Sequence, residues 1–82
     1  SQNYPNPFNP ITTIRFDLPE ESDVTLTVYD LLGQEIVELV SDRMMGGAHT
    51  VKWDASANAS GIYICKLTSE KQLVARKMVL LK

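Results

Sequence analysis

Hydrophobic residues recur at every second position along most of this sequence, a spacing that sends alternate side chains to opposite faces of an extended chain. Ile14, Phe16 and Leu18 alternate with Arg15 and Asp17, and Pro19, with no N–H to give to a ladder, ends that run. Val24, Leu26 and Val28 alternate with Thr25 and Thr27 in a second run. Residues 35–40 form a third, where strand propensity outweighs the faint helical spacing. His49, Val51 and Trp53 alternate with Thr50 and Lys52 in a fourth. Residues 62–67 are apolar at both parities, the pattern of a central strand covered on both faces. Residues 73–81 make a last, long and mostly apolar strand. No stretch longer than a turn carries helical periodicity.

The residues between these runs suit turns. Asp30-Leu31-Leu32-Gly33 places Asp first and Gly fourth, a type I signature able to join antiparallel strands. Glu20-Glu21-Ser22-Asp23 is a polar connection, and Met44-Met45-Gly46-Gly47 a flexible break. Residues 54–61 form a longer loop of Asp, Asn, Ser, Ala and Gly, and Ser69-Glu70-Lys71-Gln72 a short hairpin connection. Six or seven short strands at intervals of about 10 residues imply an all-β antiparallel sandwich.

With 82 residues the chain supports one domain and one core. A fold this small buries only about 60% of the surface its unfolded chain exposes, which leaves little material for a deep ligand cavity. Eight basic and ten acidic residues are scattered rather than striped, so nothing is arranged to neutralise a row of phosphates. No apolar run approaches the roughly 20 residues that span a bilayer, and no signal peptide opens the sequence, so any export would depend on a leader ahead of it.

The residue types that carry catalysis lack the company catalysis needs. Cys65 is the sole cysteine, sits in an apolar run and reads as a small buried hydrophobe. His49 has no second histidine or cysteine at ligand spacing, so it reads as a satisfied, partly buried histidine and no metal is expected. Asp17, Glu20, Glu21 and Asp23 crowd one solvated turn, with nothing apolar beside them to raise a pKa. Asp30, Asp42 and Asp54 are placed at strand ends, where aspartate caps turns. There is no phosphate-cradling loop and no nucleophile elbow. Asn58-Ala59-Ser60 matches a glycosylation acceptor but is equally a turn, and Trp53, which could stack on a sugar, alternates toward the core. Neither an enzyme nor a cofactor is expected.

The first ten residues differ in kind. Tyr4-Pro5-Asn6-Pro7-Phe8-Asn9-Pro10 concentrates proline, so residues 1–10 read as an extended boundary segment with Tyr4 or Phe8 against an edge of the sandwich, and residues 11–82 as the domain.

This opening, followed by Thr12-Thr13-Ile14-Arg15-Phe16, is the first of four landmarks. The others are Val28-Tyr29-Asp30-Leu31-Leu32-Gly33-Gln34-Glu35, then Trp53-Asp54 with Ser60-Gly61-Ile62-Tyr63, then Lys77-Met78-Val79-Leu80-Leu81-Lys82. In this order they resemble the type A C-terminal sorting domain of the type IX secretion system of Bacteroidetes and related bacteria. The resemblance implies an immunoglobulin-like sandwich of about seven strands, fused behind a larger cargo protein. It implies passage from the periplasm through an outer-membrane translocon, then removal by a sortase-like peptidase, with the cargo left on the surface or in the medium. Lys77, Met78, Val79, Leu80, Leu81 and Lys82 would be the segment the translocon reads. Tyr4, Pro5, Asn6, Pro7, Phe8, Asp30, Gly33, Trp53, Asp54, Gly61 and Tyr63 would be structural landmarks. Ala55 departs from the family pattern where glycine often follows Trp-Asp, and Cys65 stands where an aromatic or aliphatic residue is usual.

Two expectations concern partners. A last strand at a sheet edge could be read by strand addition, and its apolar character also makes pairing with a second copy a candidate. The competing reading is a structural or adhesive module, an immunoglobulin-like spacer or carbohydrate-binding appendage of a secreted enzyme. The related domain of flagellar hook-capping proteins shares the Trp-Asp and Gly-x-Tyr landmarks but neither the proline-rich opening nor the terminal lysine.

Overall fold

Period two is realised in six strands. The computed structural model describes residues 11–81: β1 (Ile11–Leu18), β2 (Ser22–Asp30), β3 (Glu35–Met44), β4 (Gly47–Asp54), β5 (Gly61–Thr68) and β6 (Leu73–Leu80). β1 starts three residues before the first alternating position, because the β-branched run Ile11-Thr12-Thr13 extends the strand. All pairings are antiparallel. β1 and β4 form a two-stranded sheet, and the order β3-β2-β5-β6 makes a four-stranded one. Six strands are present in this range, against the seven of the immunoglobulin-like expectation.

Three connections cross between the sheets and two stay within one. The chain leaves β1 through Pro19, returns to β4 through Met45 and Gly46, and crosses again through residues 55–60. The break between β3 and β4 is therefore only two residues long. Gly46 sits there against the first crossover: a Cβ at this position would lie 3.1 Å from the Glu20 Cα. Hairpins join β2 to β3 and β5 to β6.

The inner faces of both sheets share the core. Leu18 of β1 meets Val24 and Leu26 of β2 and Cys65 and Leu67 of β5, with Ile14, Phe16 and Val51 packed against them. A second cluster joins Val28, Trp53, Ala55, Tyr63 and Leu80. Leu26 and Val28 are 1% and 0% exposed, and each such burial stabilises by roughly 1.5–3 kcal/mol. Two register shifts, between Leu26 and Thr27 and between Val28 and Tyr29, leave Leu39 and Ile36 as extra residues on β3, and both pack on the core.

Two expectations need correction. β5 is central, between β2 and β6, but only one of its faces is covered. Tyr63, Cys65 and Leu67 are buried, while Ile62 on the other face is 38% exposed. Two strands suffice to cover only one side of the larger sheet. Asp42 lies inside β3 rather than at a strand end, and its carboxylate accepts a bond from the Arg43 N–H at 2.8 Å.

Leu26→Ala should cost about 2–5 kcal/mol, because the cavity is closed in by both sheets. In a domain of this size that corresponds to a fall in melting temperature of at least about 8 °C. Leu32→Ala, at a residue 84% exposed, should change stability by no more than about 0.5 kcal/mol. Thermal unfolding of the two variants checks the contrast.

Candidate functional site

Of the residues expected to be read, Lys77, Met78, Val79 and Leu80 lie on β6, and the geometry divides them by parity. Leu80 is buried at 6% and Met78 packs against both core clusters. Lys77 and Val79 point the other way, Val79 being 60% exposed, and Leu81 beyond the strand is 77% exposed. Lys82 lies outside the described residues. β6 pairs with β5 at all eight of its positions, Leu73 with Thr68 through Leu80 with Gly61, without a register shift. Among the described residues no strand pairs along its other side. The side chains are thus half committed to the core while one backbone edge remains open.

Beside that edge the two sheets part. A cleft of about 600 Å³ opens between β1 and β6, lined by Ile14 and Phe16 from one sheet and by Leu67, Val74, Arg76 and Met78 from the other. Gln72, at the start of the β6 side, also lines it and holds a buried Oε1 with no hydrogen-bond partner. Cys65 and His49 border the same space. They do not form a nucleophile pair. The His49 ring stacks on Phe16 at 5.5 Å, and its Nε2 lies 2.6 Å from the Met45 carbonyl oxygen. Burial raises the Cys65 thiol pKa, outweighing the smaller opposite pull of Arg76, so the thiol stays protonated at neutral pH.

The landmark residues build the end of the sandwich where β6 finishes. The Asp30 carboxylate accepts bonds from the Leu32 and Gln34 N–H groups, each at 2.9 Å, while the Gly33 N–H donates to the Asp30 carbonyl at 3.1 Å. Gly33 has φ +84°, which a side chain would strain; the result is a type I turn followed by a left-handed residue. Across the end, Trp53 and Tyr63 meet edge to face with centroids 5.4 Å apart. The Tyr63 hydroxyl donates to the Ala59 carbonyl at 2.6 Å, and the Ser56 N–H donates to the Asp54 carboxylate at 3.0 Å. The loop between β4 and β5 is thereby tied at both ends. Ala55 is fully buried within it, so the methyl group in place of a glycine is a core contact. Trp53 is 4% exposed and presents no face for a sugar to stack on. Tyr4, Pro5, Asn6, Pro7 and Phe8 lie outside the described residues.

The opposite end carries charge that the sequence reading treated only as a solvated turn. Arg43 bridges Glu21 at 3.2 Å, Asp23 at 3.1 Å and Glu70 at 3.3 Å, and Lys71 pairs with Glu20 at 2.9 Å. Hydrogen bonds to Asp23, then Glu21, raise the Arg43 pKa further above its already high value. All these groups are half exposed or more, so water screens the pairs and they orient the crossover and hairpin more than they stabilise them. Arg76 was also missed. Its position between Ala75 and Lys77 hid that parity sets it on the inner side with Met78 and Leu80.

A family model described as the secretion system C-terminal sorting domain matches residues 2–81. The chain belongs to this family. It is a sorting domain of the type IX secretion system, and members of this family serve as secretion signals rather than catalysts. No curated protein and no solved structure gives a significant match. Among the described residues of the sorting domain no helix is long and apolar enough to cross a membrane. The match runs across the sandwich and β6 alike, so it assigns the role to the domain as a whole.

Two measurements check this end of the domain. Hydrogen bonding from Ser56 lowers the Asp54 pKa below the ordinary carboxylate value of 3.8, so its ionised form favours the folded state. That contribution is present above the unfolded pKa and is lost as pH falls through the lower folded one. Asp54→Ala should therefore lower the melting temperature at pH 7 and leave it unchanged well below pH 3.8. Tyr63→Phe removes the bond to Ala59 and should cost about 1 kcal/mol at either pH, as denaturant unfolding would record.

Proposed function

We propose that this sorting domain directs a larger cargo, fused ahead of it, through the type IX translocon of the outer membrane to the cell surface or medium. In this reading the cargo passes through the periplasm, and a sortase-like peptidase removes the domain afterwards. The observation that carries it is the open edge of β6: Leu80 and Met78 anchor the strand, while its backbone and its outward residues stay available. Lys77, Met78, Val79, Leu80, Leu81 and Lys82 are the segment the translocon reads. Residues 1–10 mark the boundary with the cargo, and residues 11–82 the folded unit. The order β3-β2-β5-β6 facing β1-β4 supports an immunoglobulin-like arrangement.

Strand addition suits such a signal. Main-chain bonds along an edge give affinity whatever the cargo, and alternate side chains give specificity. A signal of this kind needs no cavity of its own, only a stable strand in a fixed register.

Residues 1–82 fused behind a periplasmic fluorescent protein, in a host with this secretion system, test the assignment. The intact fusion should reach the surface or medium. Deletion of Leu81 and Lys82 should hold the reporter in the periplasm while the domain keeps its melting temperature within a few degrees, since Leu81 is 77% exposed. Normal export of the shortened fusion would overturn the assignment of the read segment.

A further inference from the structure

The four-stranded sheet has two outer strands, and they are not equivalent. β3 is interrupted by two register shifts and carries Glu35, Glu38 and Asp42, all exposed. Bulges twist an edge and spoil it as a template. β6 is regular over all eight pairs and carries adjacent cations, Arg76 and Lys77, at its centre. Both are exposed, and neither lies within ion-pair distance of a carboxylate among the described residues. Parity puts Arg76 on the cleft side, opposite Cys65, and Lys77 on the outer face, opposite Ile64.

This placement decides what can pair there. Residues directly opposite across an antiparallel pair interact, and like charges in that position are unfavourable. In a two-fold pairing of β6 with its copy, directly opposed residues share a face, so Arg76 and Lys77, on opposite faces, are never set against each other. The two registers that keep seven of the eight positions paired set Arg76 against Arg76 or Lys77 against Lys77. Both bring like charges together, which argues against the edge-strand dimer considered from sequence. An incoming strand with carboxylates at the two central positions meets the opposite situation. One carboxylate faces Arg76 from the cleft and the next faces Lys77 from the outside, as successive side chains of a strand must. On either side its apolar residues would lie beside Val74 and Met78 in the cleft and beside Ala75 and Val79 on the outer face.

We propose that the open edge of β6 receives an extended protein strand with a central pair of adjacent acidic residues flanked by apolar ones. This rests on the reading of β6 as the recognised segment and adds the chemistry of its partner. The cations act as a filter: they repel a second copy and any basic strand, and admit an acidic one.

Three synthetic peptides with one apolar pattern and a central Glu-Asp, Gln-Asn or Lys-Lys pair serve as probes. Titrated into the 82-residue chain, the Glu-Asp peptide should shift the β6 amide resonances. It should bind on the order of tenfold more tightly than the Gln-Asn peptide, with the Lys-Lys peptide weakest. The double variant Arg76→Glu, Lys77→Glu should invert the order; both side chains are exposed, and the milder pair Arg76→Gln, Lys77→Gln should abolish the preference if the reversed charges disturb the fold. Binding of equal strength for all three peptides, no response of β6 to any of them, or dimerisation through β6 would overturn the proposal. Export separates it from the underlying assignment. If the double charge reversal exports normally while deletion of Leu81 and Lys82 does not, the acidic partner is wrong and the sorting segment stands. If both export normally, both fail.

Discussion

The pairing of β2 with β5 is the constraint on which the rest of this molecule depends. These strands place Val24, Leu26 and Val28 beside Tyr63, Cys65 and Leu67, all of them buried, and with them the core of the larger sheet. The pairing is non-local, so the chain must close the whole β3-β4 excursion before it forms, and contacts with Leu18 and Trp53 of the smaller sheet repay that closure. Once it exists, β3 and β6 follow as hairpin partners on the two flanks. They become edges because nothing in residues 11–81 pairs beyond them. The availability of β6 is thus a consequence of where the core sits.

Much of this was legible in the sequence because one face of each strand is buried. A strict period of two then fixes both strand identity and facing, and Asp30, Gly33 and Pro19 fix where strands end. Three features escaped for physical reasons. Residues 62–67 are apolar at both parities, and periodicity cannot tell a strand covered twice from one whose outer face is left open, with Ile62 partly exposed. In β3 the consecutive apolar pairs Ile36-Val37 and Leu39-Val40 were the trace of two bulges, each turning an extra residue inward, but within an apolar run they look like an ordinary strand. Arg43 reaches Glu21, Asp23 and Glu70 across three elements, and pairings between distant parts of the chain leave no local signal.

The two ends of the sandwich divide the work. At one end Arg43 and Lys71 tie the first crossover to the β5–β6 hairpin through exposed, screened ion pairs. At the other, Trp53, Tyr63 and the Asp30 turn lock the loops around the place where β6 finishes and Leu81 emerges. The family landmarks within the described residues gather at this second end. Their contribution is to hold a short strand in one register, so that the same residues always face outward, and a one-residue slip would exchange Lys77 and Val79 for Met78 and Leu80.

Amide hydrogen exchange along β5 and β6 tests that picture most directly. β5 is bonded on both sides over residues 63–68, so its amides should be protected at successive positions. β6 is bonded on one side, so protection there should alternate, with every second amide exchanging at close to the rate of an open chain. Alternation through residues 73–80 is the expected result. Continuous protection along β6 would mean that its edge is already covered, and would contradict the account of how this domain is read.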